Sequence, residues 1–138
     1  WANRVLDHIV ADEVRILSAL SDGSGHAVIS VSGSQTLTGQ REILLSGISS
    51  VVKPARVKVR DLMPVYLSNL NALGLIEFGA INSEFELDYQ VLEANSDVME
   101  ALGVAQKAGY FRLRCDRKTL KLSRAGNLFW DICNVEDQ

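Results

Sequence analysis

Tyr66-Leu67-Ser68-Asn69-Leu70-Asn71-Ala72-Leu73-Gly74-Leu75-Ile76-Glu77 is the stretch that decides how this chain folds. Leu67, Leu70 and Leu73 recur at helical spacing, with Met63 and Tyr66 at the margin of the same stripe. One side of a helix is therefore apolar, while Ser68, Asn69 and Asn71 lie on the other. Gly74 follows at once, and glycine most readily takes the left-handed conformation in which helices stop. Leu75-Ile76-Glu77-Phe78 then reads as a strand. Upstream, Asp61 is placed to cap the helix, and Pro64 is tolerated within its first turn. The piece is a helix over 61–73 that ends at a glycine and feeds a strand directly.

Working outward, residues 4–20 read as a helix built on Val5, Ile9, Val14 (or Glu13), Ile16, Leu17 and Leu20, with Asp12-Glu13 suited to a first turn and Asp22-Gly23 as the stop. Val28, Ile29 and Val31 form a short strand closed by Gly33-Ser34. Residues 40–52 are expected to be a second helix, with Ile43, Leu44, Ile48, Val51 and Val52 as its stripe and Pro54 as its end. A further helix is expected over 89–107, stopped by Gly109. Two strands, 110–115 and 119–123, should then flank a polar hairpin, Asp116-Arg117-Lys118. A last helix over 125–134 follows, with Ser123 as its cap.

Helix, strand, helix, helix, glycine, strand, hairpin, helix is the layout of a winged helix-turn-helix. The expected fold is therefore α+β: a winged helix-turn-helix-like domain with a small antiparallel sheet. The strands at 75–78 and 119–123 are roughly forty residues apart, which implies a helical insertion in the wing. If so, those two strands should be antiparallel neighbours. The length of 138 residues fits one domain over 1–138. A start at Trp1 rather than Met reads as a piece excised from a longer protein.

Composition narrows the function classes. A hydrophobic fraction of 47% supports a core without a metal or disulfide staple. No apolar run is long enough to cross a membrane, and no secretion signal opens the chain. Cys115 and Cys133 are too few for a disulfide framework and are expected as buried free thiols, one in a strand and one in a helix. A cytoplasmic location follows as the expectation. The net charge of −3 is unevenly spread. Residues 53–60 hold Lys53, Arg56, Lys58 and Arg60 with no acid. Residues 61–106 hold only acids among their charges, and residues 107–124 hold seven cations against Asp116. Such blocks point to internal charge pairing or to separate partner surfaces.

Three pieces, taken in order along nearly the whole chain, resemble the abortive-infection alpha (Abi-alpha) family of bacterial proteins. They are Ala11-Asp12-Glu13-Val14-Arg15-Ile16-Leu17-Ser18-Ala19-Leu20, then Tyr66 to Leu75, then Leu120-Lys121-Leu122-Ser123-Arg124-Ala125-Gly126 followed by Phe129 and Cys133. The resemblance implies a role in phage defence and no defined biochemical activity. The chain departs from the family pattern with Ser123 in place of Thr and Ala72 in place of a charged residue.

Three function classes can be weighed. As a DNA-binding domain, the chain would use Arg112, Arg114, Arg117, Lys118 and Lys121 as a basic wing on phosphates, and Ser68, Asn69 and Asn71 on a recognition helix. The helix over 61–73 has no Lys or Arg, which disfavours approach to a polyanion. As a protein-binding or self-associating module, the chain would use the same basic segment as its contact surface and its separated charges for recognition. As an enzyme it lacks machinery. His8 and His26 are its only histidines, and Ser24-Gly25-His26 has no third group to orient a nucleophile and base. No metal-ligand spacing or phosphate loop occurs. Glu84, Glu86 and Asp88 alternate as on a strand, a pattern that is far more often a solvated face than a cation site. The expectation is a non-enzymatic binding module with no catalytic residue, metal or cofactor. Its partner is a protein or a second copy, with DNA as the alternative, and no membrane or small-molecule substrate is implied.

Overall fold

The computed structural model describes residues 10–136, with side chains through Cys133. The expected helical residues before Val10, along with His8 and Trp1, lie outside the described residues. The chain order is α1 (Ala11–Leu20), β1 (His26–Ser34), β2 (Glu42–Ser49), a short α2 (Val52–Ala55), a 3-10 turn (Arg60–Leu62), α3 (Met63–Ala72), β3 (Ile76–Gly79), a second 3-10 turn (Ser83–Phe85), α4 (Glu86–Glu93), α5 (Ser96–Lys107), β4 (Phe111–Leu122) and α6 (Arg124–Glu136). The architecture is α+β. The four strands make one antiparallel sheet in the order β2-β1-β4-β3.

The deciding stretch folds as read. Gly74 has a φ of 77°, and its N–H and that of Leu75 donate to the carbonyls of Asn71 and Leu70, closing the last turn of α3. β3 begins two residues later and pairs with β4 through Ile76–Leu122, Glu77–Lys121, Phe78–Leu120 and Gly79–Thr119. The two strands expected to be neighbours are neighbours, and α4 and α5 lie in the chain between them. Ser123 caps α6, its Oγ accepting from the Gly126 N–H at 2.9 Å while its hydroxyl donates to the Gly74 carbonyl.

The cap expected from Asp61 is absent: α3 starts after a 3-10 turn, with Leu62 at its N-cap and no side-chain cap. Residues 40–52 form no long helix; β2 occupies most of them, paired with β1 through Ile43–Ser32, Leu45–Val31 and Ile48–Ile29. A register shift between Val31 and Ser32 is a bulge. Leu44 and Leu45 both pack against the same cluster, so a bulged strand imitates helical spacing. Pro54 lies inside α2 rather than ending a helix. Residues 89–107 divide into α4 and α5, because the extended Asn95 breaks the run and caps α5 by accepting from the Asp97 N–H at 2.8 Å.

The largest correction concerns Asp116-Arg117-Lys118. These residues form no hairpin; they are the middle of the 12-residue β4, opposite Ser30, Ile29 and Val28 of β1. β1 is itself nine residues long, and it is held by the eight-residue β2 along one edge and by β4 along the other. Charged residues read as a turn because only every second side chain of β4 is covered.

Helices lie on both faces of the sheet. Even-numbered Val28, Leu120, Leu122 and Ile76 meet Ile16, Leu17 and Leu20 of α1, Met63, Tyr66, Leu67 and Leu70 of α3, and Phe129 of α6. Odd-numbered Ala27, Ile29 and Val31 meet Tyr89, Leu92 and Val98 of α4 and α5. This split is the period-two alternation of a strand. Asp12 ties the first cluster together. It accepts from the Lys58 and Val59 N–H groups at 3.1 and 3.0 Å, from the Tyr66 hydroxyl at 2.9 Å and from Arg15 at 2.5 Å. Burial alone would raise its carboxyl, but these four donors outweigh burial and bring it down to about 2.

Candidate functional site

The even-numbered face of the sheet is covered over only part of its length. Beyond Val28 and Leu120 the same face continues with Ser30 and Ser32 on β1 and Lys118, Asp116 and Arg114 on β4, cross-strand partners in register. Ile43 of β2 stands opposite Ser32. α3 forms the wall, through Pro64, Leu67, Ser68 and Asn71, and Phe78 of β3 closes the rim. The resulting groove has a volume of about 270 Å³. It runs on into a shallower area bounded by Arg41, Arg114 and Ile81, and both share Ser30, Ile43, Asp116 and Lys118. Gly47 allows α3 to lie this close to β2: at φ 75°, a Cβ there would stand 2.7 Å from the Pro64 nitrogen.

The polar floor is an ordered network. Ser32 donates to Asp116 Oδ2 at 2.6 Å, and Arg114 Nε donates to Asp116 Oδ1 at 2.5 Å. Arg41 donates to Ser32 Oγ at 2.9 Å and to the Arg112 carbonyl at 2.7 Å, crossing β1 from β2's side. Partial burial works to raise the Asp116 carboxyl, but the Ser32 and Arg114 donors outweigh it and hold the group below its usual range. Asp116 is thus a charged acceptor already occupied from within. Among the described residues Lys118 makes no ion pair, and no hydrogen bond engages the side chains of Ser30, Ser68 or Asn71. Three cations, Arg41, Arg114 and Lys118, face one carboxylate, and the rim is apolar: Ile43 is 71% exposed, Ile81 57% and Phe78 40%.

The residues singled out from sequence are divided by the fold. Lys118, Ser68 and Asn71 meet in the groove, with Arg114 beside them. Arg117, on the other face, is held by Glu93 at 2.6 and 2.9 Å and Glu86 at 2.8 Å, with its guanidinium 5.2 Å from the Tyr89 ring centre. The paired carboxylates raise its pKa further. Arg112, with φ 54°, straps the 35–41 turn by donating to the Gly39 carbonyl at 2.5 Å and to Ser34 Oγ at 3.3 Å. Lys121 stands 3.4 Å from Glu77. Asn69 turns inward and donates to Glu13 at 2.7 Å, so it does not share the face of Ser68 and Asn71. The five cations do not form one continuous surface.

Glu84, Glu86 and Asp88 lie on a 3-10 turn and α4, not on a strand. Among the described residues no group of three or more His, Cys, Asp or Glu is placed to hold a metal. Ser24 Oγ lies 3.4 Å from His26 Nε2 but donates to Asp22 at 2.5 Å, which directs its proton away from the imidazole. Cys115 and Cys133 are half-buried, in β4 and α6, and burial pushes the Cys115 thiol up. No described helix is long and apolar enough to cross a membrane.

Sequence reasoning missed Arg41, Ser30, Ser32 and Ile43. The signal existed in Val28-Ile29-Ser30-Val31-Ser32-Gly33-Ser34. Serines at every second position of a β-branched strand mark a face left without an apolar cover.

A family model described as Abortive infection alpha matches residues 3–133. A solved structure of an uncharacterized protein from the hydrocarbon-degrading marine bacterium Alcanivorax borkumensis SK2 is similar at 30% identity and a TM-score of 0.73, over 96% of this chain and 92% of that one. No curated protein matches the chain.

Proposed function

Because the chain belongs to the abortive infection alpha family, we propose that it is a non-enzymatic binding module of a phage-defence protein, acting through protein contacts at the groove between α3 and the open sheet face. The observation that supports this is the groove itself. Apolar Ile43, Phe78 and Leu67 and the uncommitted Lys118, Ser30, Ser68 and Asn71 converge on it. A concave apolar surface with a few convergent polar groups is the usual form of a recognition site. At about 270 Å³ it is smaller than most small-molecule sites and suits one or two side chains of a partner. The winged-helix reading belongs here too: α3 is the helix that hands over to the wing, and β3 with β4 is a wing interrupted by α4 and α5. In that layout the basic ribbon on which DNA binding would rest is largely engaged with its own chain, since Arg117 pairs with Glu86 and Glu93 and Arg114 with Asp116. That favours protein over DNA.

The test is affinity capture with the full-length protein from cells, with and without nuclease, alongside the Ile43→Glu/Lys118→Glu double variant. Proteins retained after nuclease and lost with the variant bear the proposal out. Proteins lost with nuclease alone, or retained by the variant, sink it.

A further inference from the structure

The outer face of α4 has the chemistry complementary to the groove. α4 turns Tyr89, Leu92 and Glu93 toward the sheet. Its opposite stripe carries Leu87, 76% exposed, and Val91, 70% exposed, one helical turn apart. Glu84 and Asp88, also four residues apart, flank that stripe, are exposed, and make no ion pair among the described residues. No lysine or arginine occurs anywhere from 61 to 106, so nothing on this segment offsets them. An apolar pair edged by carboxylates thus stands on one side of the sheet. An apolar rim of Ile43, Ile81 and Phe78 around Arg41, Arg114 and Lys118 stands on the other.

We infer that the groove's occupant is a second copy of this chain, seated by the Leu87–Val91 face of its α4. The two surfaces lie on opposite faces of one sheet, so a single copy cannot bring them together. Two copies joined this way use different patches, which makes the contact head-to-tail and leaves one groove and one α4 unfilled at the ends. Leu87 and Val91 would cover Ile43 and Phe78, while Glu84 and Asp88 approach Lys118. A contact of one helix with one groove is small and transient, and it weakens as salt screens its rim charges. This contact rests on the groove being the protein-binding face proposed above.

Head-to-tail geometry gives a specific test by sedimentation velocity over a wide range of concentration. The wild-type chain is expected to grow in mass with concentration, less so in high salt. Ile43→Glu/Lys118→Glu (groove) and Leu87→Lys/Asp88→Lys (helix) change only exposed side chains, and circular dichroism checks that both fold. Each alone is expected to stay monomeric, its self-dissociation constant raised about tenfold or more. An equal mixture of the two retains one intact groove and one intact α4, so it is expected to form dimers and nothing larger. A wild type that remains monomeric, a variant that associates undiminished, or a mixture that yields no dimer overturns the inference. So does a duplex oligonucleotide that binds the wild type but not the groove variant. A monomeric wild type that still captures a nuclease-resistant protein through the groove would defeat the second-copy occupant and leave the proposed function standing.

Discussion

Arg117 and Lys118 are adjacent in β4, yet they belong to two different surfaces. Arg117 faces α4, where two carboxylates and the Tyr89 ring hold it. Lys118 faces the groove, exposed and without an ion pair among the described residues. One face of the sheet is closed by α4 and α5. The other is closed by α1, α3 and α6 over one half and left open over the other. Strand parity, not residue type, therefore decides which cations hold the fold and which are available to a partner.

The sharpest way to break the comparison is to open the half that is closed. α6 packs at Gly126 against the backbone just before β3, where a Cβ would stand 1.9 Å from the Leu75 carbonyl oxygen. Gly126→Ala gains about 1 kcal/mol in helix propensity but forces backbone apart. The net expected loss is about 3 kcal/mol or more, read as a lower urea midpoint. Retained stability would show that α6 does not close this face as described.

Asp12 anchors the same half. Its carboxyl is lowered from 3.8 to about 2, so its contribution is full above the ordinary value and disappears as pH falls toward 2. Asp12→Asn is expected to lower thermal stability strongly at neutral pH and to flatten the acid limb of a stability–pH curve. An unchanged acid limb would remove Asp12 from that role.

The neighbouring cations give the most direct comparison. Arg117→Ala strands Glu86 and Glu93 beside Tyr89 and is expected to cost several degrees in thermal midpoint. Lys118→Ala is expected to stay within about 2 °C of wild type. Equal effects would erase the distinction between the two faces.

His26 carries the smallest expected effect. Burial pushes its imidazole below 6.5, against smaller opposing pulls from Asp22 and Asp88. The folded state binds that proton less readily than the unfolded state. The contribution is therefore present above 6.5 and declines as pH falls below it. A mild loss between neutral pH and pH 5, absent in His26→Gln, is the expected reading.

Much of this was legible in the chain. The α3–Gly74–β3 handover and the Ser123 cap follow from local chemistry: leucine spacing, a glycine in the left-handed region, a hydroxyl beside free N–H groups. The pairing of strands roughly forty residues apart was expected from the order of elements along the chain. The candidate site was half legible. Lys118, read as part of a basic wing, and Ser68 and Asn71, read as part of a recognition helix, line one groove, while Arg112, Arg117 and Lys121 of that wing and Asn69 of that helix are placed elsewhere. β2 and the middle of β4 failed for one reason. A bulge and a half-covered face disturb the simple periods by which strands are recognised.

The amino-acid sequence by itself determined the local elements whose signals lie within a few residues: where α3 stops, where α6 starts, and that polar and apolar positions alternate along β1. Only the tertiary structure decided which cations pair internally, because Arg117 meets Glu93 across 24 residues and Arg41 meets the Arg112 carbonyl across 71. The groove exists for the same reason. Its wall and floor come from α3, β1, β2 and β4, and no local period records which of two sheet faces a distant helix will leave uncovered.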